Sequence, residues 1–186
     1  RVMATQLEAI DEMTLIVEQL LALARSEEGE ETIEWEPVEL GDLTKQAFED
    51  WKNMAQSKGV RLILLQKETS WVRGELQLLR RLLSNLLDNA LKHMPQGGEI
   101  TVEINQRGEE SYLAVRDTGP GIPNDQLSTI FDRFFSRQIV DAGGMKSTGL
   151  GLGLCRWIAE AHKGRIEASS PAGHGAVFTI YFPSIS

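Results

Sequence analysis

The stretch "SNLLDNALKHM", residues 84–94, sets two side-chain amides and a cation along one line of a leucine-rich segment. Asn85 and Asn89 lie one helical turn apart, followed at the same spacing by Lys92 and His93. Asparagine is a mediocre helix former because its amide competes for nearby backbone groups, so a pair in register asks for a reason. On a helix, Leu79, Leu83, Leu86 and Ala90 make the apolar stripe, while Asn85, Asn89 and Lys92 share another face with His93 at its edge. A single asparagine there is ordinary solvated surface. Two with a lysine offer hard, neutral oxygen ligands suited to Mg²⁺ and a point charge suited to phosphate.

Two later stretches add to this. "DTGPGI", residues 117–122, ends an expected strand. Asp117 can accept a hydrogen bond from an amino group, and Gly119 and Gly121 let backbone approach a flat ring; the same pattern also describes a plain turn. "STGLGLGL", residues 147–154, opens a helix, where glycines expose N–H groups and the helix dipole favours an anion. It is not a P-loop, which needs glycine where Val140 and Met145 stand. Nor is it the dinucleotide pattern, which needs glycine at Leu154 and a strand leading into the turn.

The elements that must hold these residues follow from periodicity. Residues 2–25 read as a helix with a heptad seam of Met3, Ile10, Met13, Val17, Leu20 and Ala24, broken by Gln6. A glutamate-rich connection follows, and the boundary falls near residue 30. A short strand is expected at "EWEPVEL", then a helix over residues 42–58 with Asp42 or Thr44 near its cap. "VRLILL" reads as a strand and residues 75–94 as the amide-bearing helix. Two strands meet around Arg107-Gly108, a helix spans residues 149–163, and a last hairpin turns at Pro171 and two glycines. Residues 118–148 carry glycines, prolines and one brief apolar cluster, "IFDRFF"; a connection of that length is often a lid. The expected fold is α+β: a two-layer α/β sandwich, with a mixed sheet, helices on one face, a long lid and one long N-terminal helix.

Composition narrows the function classes. The chain has 186 residues, 41% hydrophobic and 25% charged, with a formal net charge of −8. Nucleic-acid binders usually carry a basic face, so DNA and RNA are poor partners here. No run of 18 apolar residues is present, so no membrane span is expected. The chain begins Arg1-Val2-Met3 inside an expected helix, which reads as a piece of something longer. Cys155 is the only cysteine, which points to a reducing compartment and a small buried apolar role.

In this order, Asn85/Asn89, Asp117/Gly119/Gly121, "FDRFF" and "TGLGLGL" resemble the N, G1, F and G2 boxes of the catalytic, ATP-binding domain of sensor histidine kinases. The resemblance covers residues 35–183 and includes "CRWIAEAHKGRIEASS" after the last box. It implies the sandwich fold shared with the gyrase, Hsp90 and mismatch-repair ATPases, with ATP and Mg²⁺ as ligands. By that resemblance Asn89 matches the metal ligand, and Asn85 lies beside the phosphates or assists with the metal. Lys92 matches the phosphate lysine, and His93 stands where the family often has tyrosine. Asp117 matches the adenine-reading carboxylate, with Gly119, Gly121 and Ile122 beside it. Thr148, Gly149, Leu150, Gly151 and Leu152 match the segment whose backbone donors meet the phosphates. Arg133 or Arg137 is the F-box cation for the γ-phosphate, with Arg137 the preferred of the two.

Residues 1–30 resemble the second helix of the family's dimerisation and phosphotransfer domain with its exit, leaving residues 31–186 as the catalytic domain. The resemblance implies a protein-histidine kinase of a two-component system. Its partners would be ATP, an acceptor-histidine helical hairpin of the parent, a response regulator and a second parent copy. The parent would be membrane-anchored, with this part cytoplasmic and touching neither membrane nor nucleic acid. None of His93, His162 and His174 sits in the acceptor context, and His162, at a helix end, reads as structural. This chain is therefore expected to bind ATP without phosphorylating itself. The alternatives are an ATP-hydrolysing switch of the same superfamily or a non-catalytic interaction module. In the hydrolysing relatives a glutamate four residues before the metal asparagine activates water; here that place is Asn85.

Overall fold

The computed structural model describes residues 35–132, 151–171 and 173–185. The helix and connection expected over residues 1–30, most of the lid-like stretch, and Arg133, Arg137, Thr148, Gly149 and Leu150 lie outside the described residues. In chain order the elements are β1 (Glu36–Glu39), α1 (Leu40–Ser57), β2 (Arg61–Gln66), β3 (Trp71–Gly74), α2 (Leu76–His93), β4 (Glu99–Arg107), β5 (Glu110–Asp117), α3 (Gly151–Ala161), β6 (Arg165–Ser169) and β7 (Val177–Pro183).

Five strands form one sheet in the order β2-β4-β5-β7-β6. β2 runs parallel to β4, and the other neighbours are antiparallel. Alternation along the central strands β4, β5 and β7 makes the sheet one-sided. Ile100, Val102 and Ile104 of β4 stand opposite Asp117, Val115 and Leu113 of β5, and Val115 and Leu113 in turn meet Phe178 and Ile180 of β7. All seven apolar members are buried. The opposite face carries Thr101, Glu103, Tyr112 and Tyr181, with Lys67 bound to Glu103 at 2.9 Å and Tyr112 donating to the same carboxylate. The three described helices cover the apolar face, so the fold is the expected α+β sandwich.

Leucines orient α2. Leu82, Leu83, Leu86, Leu87 and Leu91 are all essentially buried. At about 2 kcal/mol each, their burial outweighs the roughly 0.7 kcal/mol that each asparagine costs in helix propensity. The amide face is therefore carried wherever the leucine face points. Among the described residues no helix is long and apolar enough to cross a membrane.

Three local features depart from the sequence reading. α1 begins at Leu40, and its cap is Glu39, whose carboxylate accepts from the Asp42 amide; Asp42 and Thr44 lie inside the helix. β3 was not expected at all: four residues after a polar run carry no readable period, and the strand exists because β1 pairs with it. The last helix, expected to run to residue 163, ends at Ala161, and Lys163 takes the positive φ of 56° that turns the chain out of it. Gly164 is instead required for close approach, since a Cβ there would lie 2.2 Å from the Tyr181 carbonyl oxygen.

His162 is structural, as expected, and its two ring bonds are those of the neutral imidazole. Its Nδ1–H donates to the Ile158 carbonyl at 2.7 Å, and Nε2 accepts the Glu75 backbone N–H at 3.1 Å. Trp35 and Phe182 pack their rings against it. This imidazole ties the end of α3 to the start of α2. Burial, the largest influence, pushes its pKa below the usual imidazole value, against the Ile158 carbonyl and the Glu75 charge. Below about pH 6.5 the unfolded chain therefore takes up the proton first, and stability falls as pH drops toward the lower folded value. Urea midpoints for the wild type are expected to fall between pH 7.5 and 5.5. His162→Gln should start lower at pH 7.5 and lose distinctly less over that window.

Candidate functional site

The amide-bearing helix is held at both ends. Glu75 caps it: its two carboxylate oxygens accept from the Gln77 and Leu78 amides at 3.1 and 3.3 Å, against the positive end of the helix dipole. At the other end Met94 is extended and Pro95 follows, which stops the helix after His93. Asn85 and Asn89, one turn apart, are half-buried. Among the described residues the buried Asn85 Nδ2 group has no hydrogen-bond partner; an unsatisfied buried amide costs about 1–3 kcal/mol. Lys92 is engaged: its Nζ lies 2.6 Å from the Asp88 carboxylate, with both side chains more than 40% exposed. A pair that exposed is worth only about 0.5 kcal/mol, so a phosphate could take the lysine at small cost.

Asp117 closes β5 on the apolar side of the sheet and is 8% exposed. Its Oδ1 accepts the Gly119 amide at 2.8 Å and the Ala176 amide at 3.2 Å. Its own N–H donates to the Ala176 carbonyl. Burial pushes its carboxyl up from the ordinary aspartate value, while the two amides and the field of His93 pull it back. The Asp117 turn lies against the end of α2, because a Cβ on Gly119 would come 3.4 Å from the His93 carbonyl oxygen. Gly121, at φ 74°, presses on Ser170 and Gly175, and Ile122 packs on the core.

Residues 126–132 return the chain to the core before the undescribed stretch. Ile130 is buried, and Phe131 meets Phe178 edge-on at 6.2 Å. A Cβ on Gly153 would lie 3.5 Å from the Phe131 carbonyl, so the first turn of α3 rests on this segment. Gly151 and Leu152 open α3, which packs along α2; the Cys155 thiol, fully buried and pushed well above the usual thiol pKa, faces the Leu82 carbonyl. The fold thus gathers the α2 face, the Asp117 turn and the start of α3.

Residues 74–185 match the family described as histidine kinase-, DNA gyrase B-, and HSP90-like ATPases. The chain belongs to this family. Among its relatives is the signal transduction histidine-protein kinase BaeS of Escherichia coli (strain K12), 32% identical over 171 residues; the match covers 92% of this chain and 37% of BaeS. The mycobacterial sensor histidine kinase MprB superposes with a TM-score of 0.69 at 28% identity, covering 81% of this chain and 97% of that structure. Full-length ShkA, solved in complex with AMPPNP, superposes at 0.71 with 26% identity, covering 83% of this chain and 32% of that one. The chain therefore spans little more than a third of the curated relative. As a family member of the histidine kinase type, it is an ATP-binding catalytic domain.

Sequence reasoning missed Ser170, Gly175 and Ala176, which back the Asp117 turn from a hairpin more than fifty residues away. The paired glycines of "AGHGAVF" were legible as a turn, but not which neighbour they pressed on. Gly175 sits at φ 72°, and a Cβ there would fall 2.0 Å from the Asp117 carbonyl oxygen. Gly175→Ala is expected to cost on the order of 2–3 kcal/mol in stability, measured by urea unfolding.

Proposed function

We propose that this chain is the catalytic module of a two-component sensor histidine kinase, binding ATP with Mg²⁺ and giving the γ-phosphate to a histidine carried on a separate helical hairpin. The observation that carries it is Asn85. The buried group on the α2 face is an amide, which cannot take a proton from water at neutral pH. A site with a carboxylate there could activate water; this one favours a protein acceptor over hydrolysis.

The roles follow. Asp117, with Oδ1 fixed by two amides, accepts from the adenine amino group, and Gly119, Gly121 and Ile122 form that wall. Asn85 presents a buried N–H donor with no partner among the described residues, which fits a phosphate oxygen. Asn89 then supplies an amide oxygen for Mg²⁺. Among the described residues no cluster of three or more His, Cys, Asp or Glu could hold a metal, so a neutral donor set fits an ion that arrives with the phosphates. Bound Mg²⁺ supplies charge neutralisation on those phosphates. Lys92 exchanges Asp88 for phosphate, and His93 reaches ribose or phosphate. The amides of residues 148–152 cradle the phosphate chain at the start of α3. Arg133 or Arg137 meets the γ-phosphate, and transfer then rests on positioning and charge.

In this reading the acceptor is carried on the parent's hairpin; His162 is unsuited to the role, since both its nitrogens are engaged inside the fold. Residues 1–30 serve as part of the dimerisation and phosphotransfer bundle of a membrane-anchored, dimeric parent. The catalytic part lies in the cytoplasm and passes the phosphate on to a response-regulator aspartate.

A separately made acceptor hairpin mixed with this chain and labelled ATP is expected to gain acid-labile phosphate on its histidine. The chain alone should gain none; release of inorganic phosphate without transfer would favour the ATPase. Asp117→Asn is expected to weaken ATP by about tenfold or more, the scale of a hydrogen bond to a charged group, while GTP stays poor. Equal ATP affinity in both proteins would remove the adenine assignment.

A further inference from the structure

The Asp117 carboxylate is aimed by amides that belong to two different turns, and one side chain ties those turns together. Ser170, at the end of the hairpin's first strand, is 9% exposed. Its Oγ accepts the Ile122 N–H at 2.7 Å and donates to the Gly175 carbonyl at 2.6 Å. A hydroxyl has one proton to give, so these two bonds use its donor and an acceptor site together. On one side the bond fixes the turn of residues 119–122, whose Gly119 amide is one ligand of Asp117 Oδ1. On the other it fixes Gly175, and the next residue's amide, Ala176 N–H, is the second.

The fit leaves little play. Gly121 and Gly175 both take positive φ, at 74° and 72°. A Cβ on Gly121 would lie 2.7 Å from Ser170 Oγ and 3.1 Å from the Gly175 carbonyl. The turns are thus in backbone contact, with the serine hydroxyl wedged where they meet. Removing it would take this partner from a part-buried N–H and a buried carbonyl at that junction.

We propose that Ser170 is a positioning residue for base recognition: by locking the two glycine turns together it holds the Gly119 and Ala176 amides on Asp117, and so sets the preference for adenine over guanine. This rests on the reading of Asp117 as the adenine acceptor. Ser170 itself need not touch the nucleotide; it acts through the aspartate.

Titrations of ATP and GTP, each with Mg²⁺, into the full chain test this with wild type, Ser170→Ala, Asp117→Asn and the double variant. Ser170→Ala is expected to weaken ATP about tenfold, or roughly 1.4 kcal/mol, with GTP changed by less than about twofold. In the Asp117→Asn background the same change should add no more than about twofold, because residues acting through one another are not additive. Ser170→Thr keeps the hydroxyl and should restore ATP binding. Should Ser170→Ala fail to fold, Ser170→Cys, of similar size but a poor hydrogen-bonding group, is expected to shift the ATP to GTP ratio in the same direction. Equal losses for ATP and GTP, or full additivity in the double variant, would make Ser170 merely structural and overturn the proposal. If Asp117→Asn weakens ATP and neither Ser170→Ala nor Ser170→Cys alters the ratio, this inference fails alone. If Asp117→Asn leaves ATP unchanged, the adenine reading fails and takes this one with it.

Discussion

The leucine stripe of α2, pressed onto the inner face of the sheet, is the contact around which the remaining elements are placed. Five nearly inaccessible leucines hold the helix against β4 and β5, and α3 lies along its flank. Every polar group of the site inherits its position from that burial. The amides of Asn85 and Asn89 need no partners of their own to be aimed, because rotation of the helix would expose leucine at a cost no polar contact could offset. Polar chemistry is displayed by apolar packing.

The sheet supplies the second fixed frame. Asp117 occupies an inward register position at the very end of β5, opposite Ile100, where the apolar layer meets the loops. A carboxylate there is partly desolvated, and two backbone amides fix its Oδ1 within the field of His93. That choice gives a directional acceptor whose orientation is set by turns. Turns of this kind need glycine at positive φ, so the glycines near Asp117 and those of the distant hairpin are parts of one arrangement.

Much of this was legible in the sequence because periodicity reports burial. The alternation in "EITVEI" and the three-four spacing in "LRRLLSNLLDNALKH" each point one face at the core, and those elements fall within a residue or two of expectation. The aligned asparagines and Asp117 were readable as chemistry because they interrupt such patterns. What escaped was set by partners distant in sequence. β3 is too short to show a period and exists through β1, Glu39 became a cap through the path into α1, and Ser170 looked like one of two serines before a turn. The neutrality of His162 was equally hidden, since it depends on an acceptor role toward the Glu75 amide.

The connection between Asp132 and Gly151 has its two ends anchored in the same place: Phe131 against Phe178, and Gly153 against the Phe131 backbone. A change at Phe131 or Gly153 therefore disturbs both ends of the connection at once, although the two residues lie on opposite sides of it in the sequence.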